Sequence, residues 1–359
     1  MLDKNRIGNV FSLTSFGESH GPAIGGVIDG MPSGVKIDLE AVQHELDCRR
    51  PGQSSVTTSR NESDRVEVLS GLLHGVTLGT PIGFIIRNND QHSKDYSEIE
   101  KVYRPNHADF TYDAKYGIRD HRGGGRASAR ETASRVVAGA FARQVLAAMG
   151  VTLCAYTIRI GDVALNECDD MDMSLIEQNP VRCPNAALAA AMEAHIKAVA
   201  LEGDTVGGTV RCEITGVPAG WGEPVFGKLS AQLAGAMMSI QAVKGVEFGE
   251  GFNASRLRGS ENNDAFSYED GRVVLKTNNC GGILGGISVG SAAPLVFDCA
   301  FKPTPSIGKE QTTIDIENKT VSKIKVEGRH DPCVAPRAVP VVEAAAAIAI
   351  YDKILAEGI

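Results

Sequence analysis

The stretch Arg122-Gly-Gly-Gly-Arg-Ala-Ser-Ala-Arg-Glu-Thr-Ala-Ser-Arg135 joins three consecutive glycines to the start of a helical pattern. Apolar residues near a 3.6-residue period continue over 129–149, which predicts a helix, and Gly150 is a typical helix stop. Glycines let backbone N–H groups approach a ligand closely, and the first turn of a helix adds unpaired N–H donors. The junction therefore predicts an anion site, most often a phosphate site.

The charge around this junction is positive although the chain is acidic. The 359-residue chain has a net charge of −8, whereas residues 104–135 hold seven Lys or Arg and four Asp or Glu, a local +3. A positive region on a negative protein favours a small anionic ligand over a long polyanion such as a nucleic acid. The alternative for Arg130 and Arg135 is a solvated helix face on which Glu131 pairs locally.

Strand and helix patterns alternate irregularly along the chain. Strands are predicted over 10–14, 23–29, 66–72, 81–87, 151–160, 206–217, 245–251 and 278–290. Further helices are predicted over 38–47, 186–202, 226–240 and 334–355. The polar stretches 49–64 and 88–106 are predicted to be long loops of the kind that often bind ligands. This order favours an α+β fold, or an unusual α/β layering, over a regular doubly wound sheet.

The composition indicates a globular protein without a membrane span or a metal-binding cysteine motif. Its 43% apolar and 22% charged content is ordinary, and no basic segment followed by an apolar segment opens the chain. The longest apolar run, near 339–350, is too short to span a bilayer. The eight cysteines are dispersed without a C-x-x-C pair, which predicts reduced thiols. We expect a cytoplasmic protein without a metal, membrane or nucleic-acid partner.

Two histidines and an aspartate lie in segments rich in polar side chains. His20 and His107 are candidates for proton transfer or anion binding. Asp331 is a candidate base, with Arg329 as a candidate anion clamp. The alternatives are a polar turn around His20, a surface position for His107 and a buried ion pair at Asp331.

Three further segments have less specific patterns. The G-x-S-x-G pattern of serine hydrolases occurs at 17–21, but a strand is predicted after it, where a nucleophile turn requires a helix. Two Gly-Gly pairs in 278–288 leave room for a flat ring or for another backbone. The segment 302–307 suits a phosphate or ribityl chain, but taken alone its pattern is more typical of a plain proline-rich loop.

Eight motifs, in this order, resemble the chorismate synthase family over about residues 7–351. They are GESHG at 17–21, RRPG at 49–52, RPNHAD at 104–109, GGGRASARET at 123–132, VEFGEGF at 246–252, GGILGGIS at 281–288, KPTPSI at 302–307 and RHDPC at 329–333. Each motif alone is weak, whereas their common order is specific. The resemblance implies a single α+β domain over 1–359 with a β-α-β sandwich core, in which sheets pack around helices. It also implies active-site loops at about 49–64 and 88–125.

The activity implied by this resemblance is that of a lyase at the last step of the shikimate pathway. It converts 5-enolpyruvylshikimate 3-phosphate to chorismate and phosphate by a 1,4-anti elimination that requires reduced FMN. The family also implies a homotetramer, and flavin reduced either by an external flavin reductase or by NADPH. Ser55 stands where some relatives carry a second basic residue, which counts against NADPH as a directly bound reductant.

Catalytic roles implied by the resemblance fall on five residues. His20 would protonate the leaving phosphate or stabilise its charge, and His107 would lie beside the flavin. Asp331 would be the base relay at C6, in one version through flavin N5, assisted by Ser19 and Ser128.

Binding roles are implied for two further sets of residues. Substrate binding is implied for Arg49, Arg104, Arg130 and Arg329, because arginine binds anions in a bidentate manner. Cofactor binding is implied for Arg126, Ala127, Ser128, Gln241, Ala242, Gly285, Lys302, Pro303, Thr304, Pro305, Ser306 and Arg329.

Two rival hypotheses come from other functional classes. One is a flavin- or phosphometabolite-binding protein without catalysis, which would not need His20, His107 and Asp331 together. The other is a phosphotransferase that uses the glycine-rich stretch, for which the sequence has no clear metal-binding carboxylate pattern.

Overall fold

The computed structural model describes residues 5–54, 56–58, 62–89, 99–166, 168–326 and 330–358. The strands are β1 (Arg6–Ile7), β2 (Ser12–Phe16), β3 (Ala23–Asp29), β4 (Val66–Val68), β5 (Leu72–Leu73), β6 (Val76–Thr77), β7 (Ile82–Arg87), β8 (Thr152–Ile160), β9 (Val163–Ala164), β10 (Gly208–Thr215), β11 (Val243–Phe248), β12 (Phe266–Glu269), β13 (Arg272–Leu275), β14 (Ile283–Leu284), β15 (Ile287–Ser288), β16 (Leu295–Phe301), β17 (Gln311–Asp315) and β18 (Thr320–Ile324). The helices are α1 (Leu39–Arg49), α2 (Asp109–Tyr116), α3 (Thr132–Ala148), α4 (Ala186–Leu201), α5 (Leu229–Met238), α6 (Gly259–Asn262) and α7 (Ala335–Glu357).

Two five-stranded antiparallel sheets enclose a layer of helices. The first sheet has the order β1-β2-β3-β7-β4, and the second has the order β11-β16-β10-β8-β9. Helix α3 packs on β2 and β3, helix α7 packs on β8 and β10, and the two helices pack on each other. This arrangement confirms the predicted α+β class with sheets packed around helices.

The sequences of α3 and α7 explain their position between the sheets. Most of their side chains are small or aliphatic and buried on every face, which is typical of a helix inside a core. At their crossing, Gly139 lies against Ala344, where a Cβ on Gly139 would overlap the neighbouring backbone. Their buried side chains join those of both sheets in one continuous apolar cluster.

Several predicted elements agree closely with the structure. The strand over 23–29 is confirmed with the same bounds. Helix α1 begins after Asp38, whose carboxylate accepts hydrogen bonds from the N–H groups of Glu40 and Ala41, as the predicted N-cap requires. Helix α3 begins a few residues later than predicted, because 125–127 and 129–131 form short 3₁₀ turns.

Other predicted elements need correction. The range 278–290 holds only the short strands β14 and β15, since its glycines form turns. The strand predicted over 66–72 ends at Val68 and resumes as β5. The expected long loop over 88–125 contains helix α2, which the sequence analysis did not predict. Within both expected loops, residues 55, 59–61 and 90–98 lie outside the described residues. Among the helices in the described ranges, none has the length and hydrophobicity that a membrane span requires.

Candidate active site

Ser19 and His20 lie in the turn that connects β2 to β3. Both side chains are buried, and Ser19 Oγ lies 3.0 Å from His20 Nδ1. Gly123 packs directly against the His20 ring and Ser19 Oγ, and a Cβ at this glycine would overlap the ring. Asn88 Nδ2 donates to the carbonyl of Gly21 at 2.7 Å, which fixes the end of the turn. The glycine-rich stretch therefore borders the first acid/base candidate.

Arg104 connects this turn to the second histidine. Its guanidinium binds the Asp109 carboxylate in a bidentate manner, with Nε–Oδ2 at 2.8 Å and Nη2–Oδ1 at 2.7 Å. The same Nη2 donates to the carbonyl of Gly123 at 2.8 Å. His107 Nδ1 lies 2.9 Å from Asp109 Oδ1. One hub of Arg104, Asp109 and Gly123 thus brings His20 and His107 to the same region.

The surroundings of His107 in this hub shift its pKa. Burial lowers the pKa of His107, the cations of Arg104 and Lys302 add to this effect, and Asp109 opposes it. Burial favours the neutral form of Asp109, but hydrogen bonds from Arg104 and His107 outweigh it and hold the pKa of Asp109 well below its usual range. An ionised carboxylate only accepts hydrogen bonds, so the His107 nitrogen that faces Asp109, Nδ1, carries a proton. In the neutral form of the ring, Nε2 is then an acceptor or base.

A second cluster holds two of the arginines predicted to bind substrate. Arg49 Nη1 lies 2.7 Å from Asp64 Oδ2, and Arg130 Nη1 binds Asp64 Oδ1. Burial opposes ionisation of Asp64, but both arginines outweigh it and lower the pKa of this carboxyl. The alternative of a solvated face for Arg130 is wrong, because its side chain is buried. Arg135 does pair locally with Glu131, at 2.9 Å, but both side chains are largely buried.

Asp331 lies next to this cluster. Its carboxylate accepts the N–H of Thr58 at 2.9 Å and pairs with Arg337, whose Nε donates to the carbonyl of Arg49 at 3.2 Å. The alternative of a buried ion pair at Asp331 is thus observed, with Arg337 as the partner. Arg329 lies outside the described residues.

Sequence reasoning missed Asp64 and Arg337. Arg337 lies in the largely apolar, alanine-rich first half of α7, and a charged residue in such a segment is a usable signal for a buried partner. Asp64 carries no comparable signal within its polar loop.

A cleft of about 1320 Å³ opens beside the first hub. Its lining includes His107, Gly123, Arg126, Glu131 and Gln241. Within the described part of the chain, the lining does not include Arg49, Arg104 or Arg130, whose exposed fractions are 2%, 3% and 9%. Arg49, Arg104 and Arg130 therefore lie outside the lining of the cleft and are held by internal carboxylates.

Two of the expected cofactor residues, Arg126 and Gln241, line the cleft. Arg126 donates to Ser15 Oγ at 2.7 Å, and Gln241 Nε2 donates to Glu131 Oε2 at 3.2 Å. Gln241 Oε1 is buried and has no hydrogen-bond partner among the described residues. Ala242 follows with a φ of +72°, and its carbonyl accepts the Lys302 N–H at 2.9 Å.

Lys302 and Ser128 border this group. Lys302 Nζ donates to the carbonyl of Asn106 at 2.8 Å, one residue before His107. Ala127 closes the 3₁₀ turn over 125–127, and Ser128 Oγ then accepts the Arg130 N–H at 3.3 Å.

The remaining expected cofactor residues lie elsewhere. Gly285 forms the tip of the β14–β15 hairpin, whose next residue, Gly286, packs on Lys228. In the segment 303–306, the Thr304 carbonyl accepts Thr205 Oγ1 at 2.7 Å. The Pro305 carbonyl accepts Gln311 Nε2, Pro303 lies near Gly207, and Ser306 is buried. None of these residues is part of the described lining of the cleft.

Comparisons with known proteins identify the family. The family model described as chorismate synthase matches residues 11–355. The chain belongs to the chorismate synthase family. Chorismate synthases of Bacteroides fragilis and Azobacteroides pseudotrichonymphae are 54% and 55% identical over 98% of this chain, and over 98% and 99% of their own lengths. A crystal structure of chorismate synthase has a TM-score of 0.78 at 29% identity, with coverage of 98% of this chain and 93% of that chain.

Membership in the chorismate synthase family confirms the resemblance inferred from the eight motifs. The chain is accordingly an enzyme of the lyase class, and the reaction of its family is the final step of the shikimate pathway.

Proposed function

We propose that the chain converts 5-enolpyruvylshikimate 3-phosphate to chorismate and phosphate by a 1,4-anti elimination that requires reduced FMN. The C3–O bond breaks, a hydrogen leaves C6, and a new double bond forms without net redox change. The observation that carries the proposal is the hub of Arg104, Asp109 and Gly123, which brings the buried His20 and the half-buried His107 together beside a large cleft.

The charge of the site supports an anionic substrate. Arg49, Arg130 and Arg337 surround two carboxylates, those of Asp64 and Asp331, so this cluster has one surplus positive charge. The substrate carries a phosphate and two carboxylates. Interactions between buried charges are stronger than those in water because the local dielectric constant is low.

Proton transfers are assigned to two groups. His20 is oriented by Ser19 and Gly123, and in the proposal it donates a proton to the departing phosphate or stabilises its charge. Asp331 is oriented by Arg337 and by the Thr58 N–H, and in the proposal it accepts the proton from C6. In its neutral form, with Nδ1–H on Asp109, His107 would offer Nε2 as an acceptor to a proton donor of the cofactor.

The residues at the cleft fit a flavin. The volume of about 1320 Å³ exceeds that of a typical single-ligand pocket. Gln241 Oε1, which is buried and has no hydrogen-bond partner among the described residues, can accept a ring N–H. Arg126 and Lys302 supply positive charge. When bound, reduced FMN supplies electron density that helps the phosphate to leave.

The oligomer, the location and the source of reducing equivalents belong to the same proposal. We propose a cytoplasmic homotetramer that receives reduced FMN from an external flavin reductase. NADPH is the alternative reductant. Ser55, on which that distinction depends, lies outside the described residues.

The test is anaerobic chorismate formation from 5-enolpyruvylshikimate 3-phosphate. One reaction contains chemically reduced FMN, and the other contains oxidised FMN with NADPH. Product with reduced FMN alone supports the lyase and an external reductase, and product in both reactions indicates intrinsic flavin reduction. If neither reaction gives product while FMN binds, the proposal is wrong and a binding protein on this scaffold replaces it.

A further inference from the structure

Asp64 is the shared counter-ion of two buried arginines. Its side chain is fully buried, with Oδ2 on Arg49 Nη1 at 2.7 Å and Oδ1 on Arg130 Nη1. Its φ of +46° lies in the left-handed region, which is uncommon for a residue with a side chain. Such a conformation persists only where the surroundings over-determine it, and this often occurs at functional sites.

The backbone that follows Asp64 is fixed by one residue of α1. Gln43 Nε2 donates to the Asp64 carbonyl at 3.3 Å, and Gln43 Oε1 accepts the Val66 N–H at 3.1 Å. Val66 begins β4, which pairs with β7 in the first sheet. Asp64 is therefore held at the end of a paired strand, where a ligand anion would not readily displace it. This favours a permanent counter-ion over a temporary substitute for the substrate.

Asp64 determines where Arg49 can lie. Arg49 Nε donates to Thr132 Oγ1 at 3.2 Å, and its Nη2 donates to the Ala129 carbonyl at 3.0 Å. Burial lowers the pKa of Arg49 to about 10, and Asp64 opposes this effect while Arg337 and Arg130 add to it. Without the Asp64 carboxylate, these guanidinium groups would repel one another in a site with little water.

Asp64 also connects the arginines to the turn of the first histidine. Arg130 Nε donates to Asn88 Oδ1 at 2.8 Å, and Asn88 Nδ2 donates to the Gly21 carbonyl at 2.7 Å. The chain of contacts from Asp64 through Arg130 and Asn88 ends one residue from His20. A shift of Arg130 would therefore disturb the turn that holds His20 as well as the pair of Arg49 and Arg130.

We propose that Asp64 is a positioning residue for the anionic substrate, because its carboxylate holds Arg49 and Arg130 as one rigid, correctly spaced cationic pair. This inference rests on the proposed function. Rigid placement lowers the cost of substrate binding, since fewer side-chain rotamers must be fixed when the ligand arrives. Without the Asp64 carboxylate, the guanidinium groups of Arg49 and Arg130 would move apart and lose their fixed spacing.

The test is Asp64→Asn, which keeps the shape of the side chain and removes its charge. We expect KM for 5-enolpyruvylshikimate 3-phosphate to rise by about 10- to 100-fold, with a smaller fall in kcat. The matched control is Glu67→Gln, three residues along the chain, which changes net charge equally but removes only an exposed ion pair with Arg87. The control should keep the KM of the unaltered protein.

A purely structural role predicts a different result. Asp64→Asn would then lower thermal stability and the amount of active protein, with KM unchanged, and that outcome contradicts positioning. Calorimetric titration with 5-enolpyruvylshikimate 3-phosphate runs in parallel. Equal affinities of the unaltered protein and of Asp64→Asn for 5-enolpyruvylshikimate 3-phosphate therefore contradict the inference, even if no chorismate forms. Lack of turnover in the unaltered protein contradicts only the proposed function.

A milder variant covers the case in which Asp64→Asn does not fold. Thr132→Val removes the hydroxyl that accepts Arg49 Nε and donates to the Ala129 carbonyl, and it leaves Asp64 in place. We expect a rise in KM of roughly two- to fivefold with unchanged kcat, as for loss of modest hydrogen bonds beside Arg49. Unchanged KM in folded Thr132→Val would contradict the idea that the orientation of Arg49 sets substrate affinity.

Discussion

Gly123 lies in contact with the imidazole of His20, so closely that a Cβ at Gly123 would overlap the ring. Its φ of +124° is one that residues with side chains rarely adopt. The carbonyl of Gly123 also accepts Arg104 Nη2 at 2.8 Å. The first glycine of the triple therefore has a packing role against His20, in addition to any role in approaching a ligand.

Gly123→Ala should lower kcat by about tenfold or more, because the new methyl group displaces the His20 ring. The control is Gly117→Ala at the end of α2. Gly117 also has a positive φ, of +74°, but a Cβ there would meet open space. Both substitutions incur backbone strain, so equal losses of activity in the two variants would refute the role of the contact with His20.

His20→Ala should reduce turnover by about 10²- to 10⁴-fold if His20 acts as a general acid. FMN affinity, measured by fluorescence quenching, should stay unchanged, and Ser19→Ala should have a smaller effect because it removes only the partner of Nδ1. Near-normal turnover of His20→Ala with intact FMN binding would exclude His20 as the acid.

The pKa of His107 should lie below the ordinary histidine value of about 6.5. Burial is the main cause, and the Lys302 ammonium adds to it. Lys302→Met removes a cation that disfavours the imidazolium, so it should raise the pKa of His107. Titration of the His107 ring protons by NMR measures both values, and a lower pKa in Lys302→Met would show that this assignment of cause is wrong.

Arg104→Ala should lower the free energy of unfolding by about 3–5 kcal/mol, since it leaves the buried Asp109 carboxylate without its bidentate partner. The matched control is Arg87→Ala, which breaks an exposed pair with Glu67 and should cost about 1 kcal/mol or less. Urea denaturation measures both variants. Similar small losses of unfolding free energy in the two variants would mean that the Arg104–Asp109 pair stabilises the fold no more than an exposed ion pair does.

Glu343→Gln should change how stability depends on pH. Burial raises the pKa of Glu343 to about 7, although Arg143 lies 2.8 Å away and the Ala155 N–H also donates to it. Because the folded pKa exceeds the unfolded value, Glu343 stabilises the fold fully below the unfolded pKa, and this contribution is lost as pH rises through about 7.

The variant lacks this titration, so its melting temperature relative to the unaltered protein should increase between about pH 5 and about pH 8. A difference in melting temperature that stays constant, or that decreases, over this pH range would contradict a raised pKa of Glu343 in the folded protein. Calorimetry at several pH values provides the measurement.

Local sequence patterns predicted the elements that neighbouring residues control. Asp38 caps α1 because its carboxylate reaches N–H groups two and three residues ahead. The apolar period over 129–149 predicted α3 because residues three and four apart share a helix face. Helix α2 was missed because its short, polar sequence has little periodicity, and it depends on contacts such as those of Asp109 with Arg104.

The sequence by itself determined the family, the α+β class and the residue types of the site, because order along the chain and local periodicity carry that information. Only the tertiary structure decided which charges meet. Asp64 binds Arg130 across 66 positions and Arg49 across 15, and Asp331 finds its partner in Arg337. A buried charge requires a counter-ion, and the packed fold determines which residue supplies it.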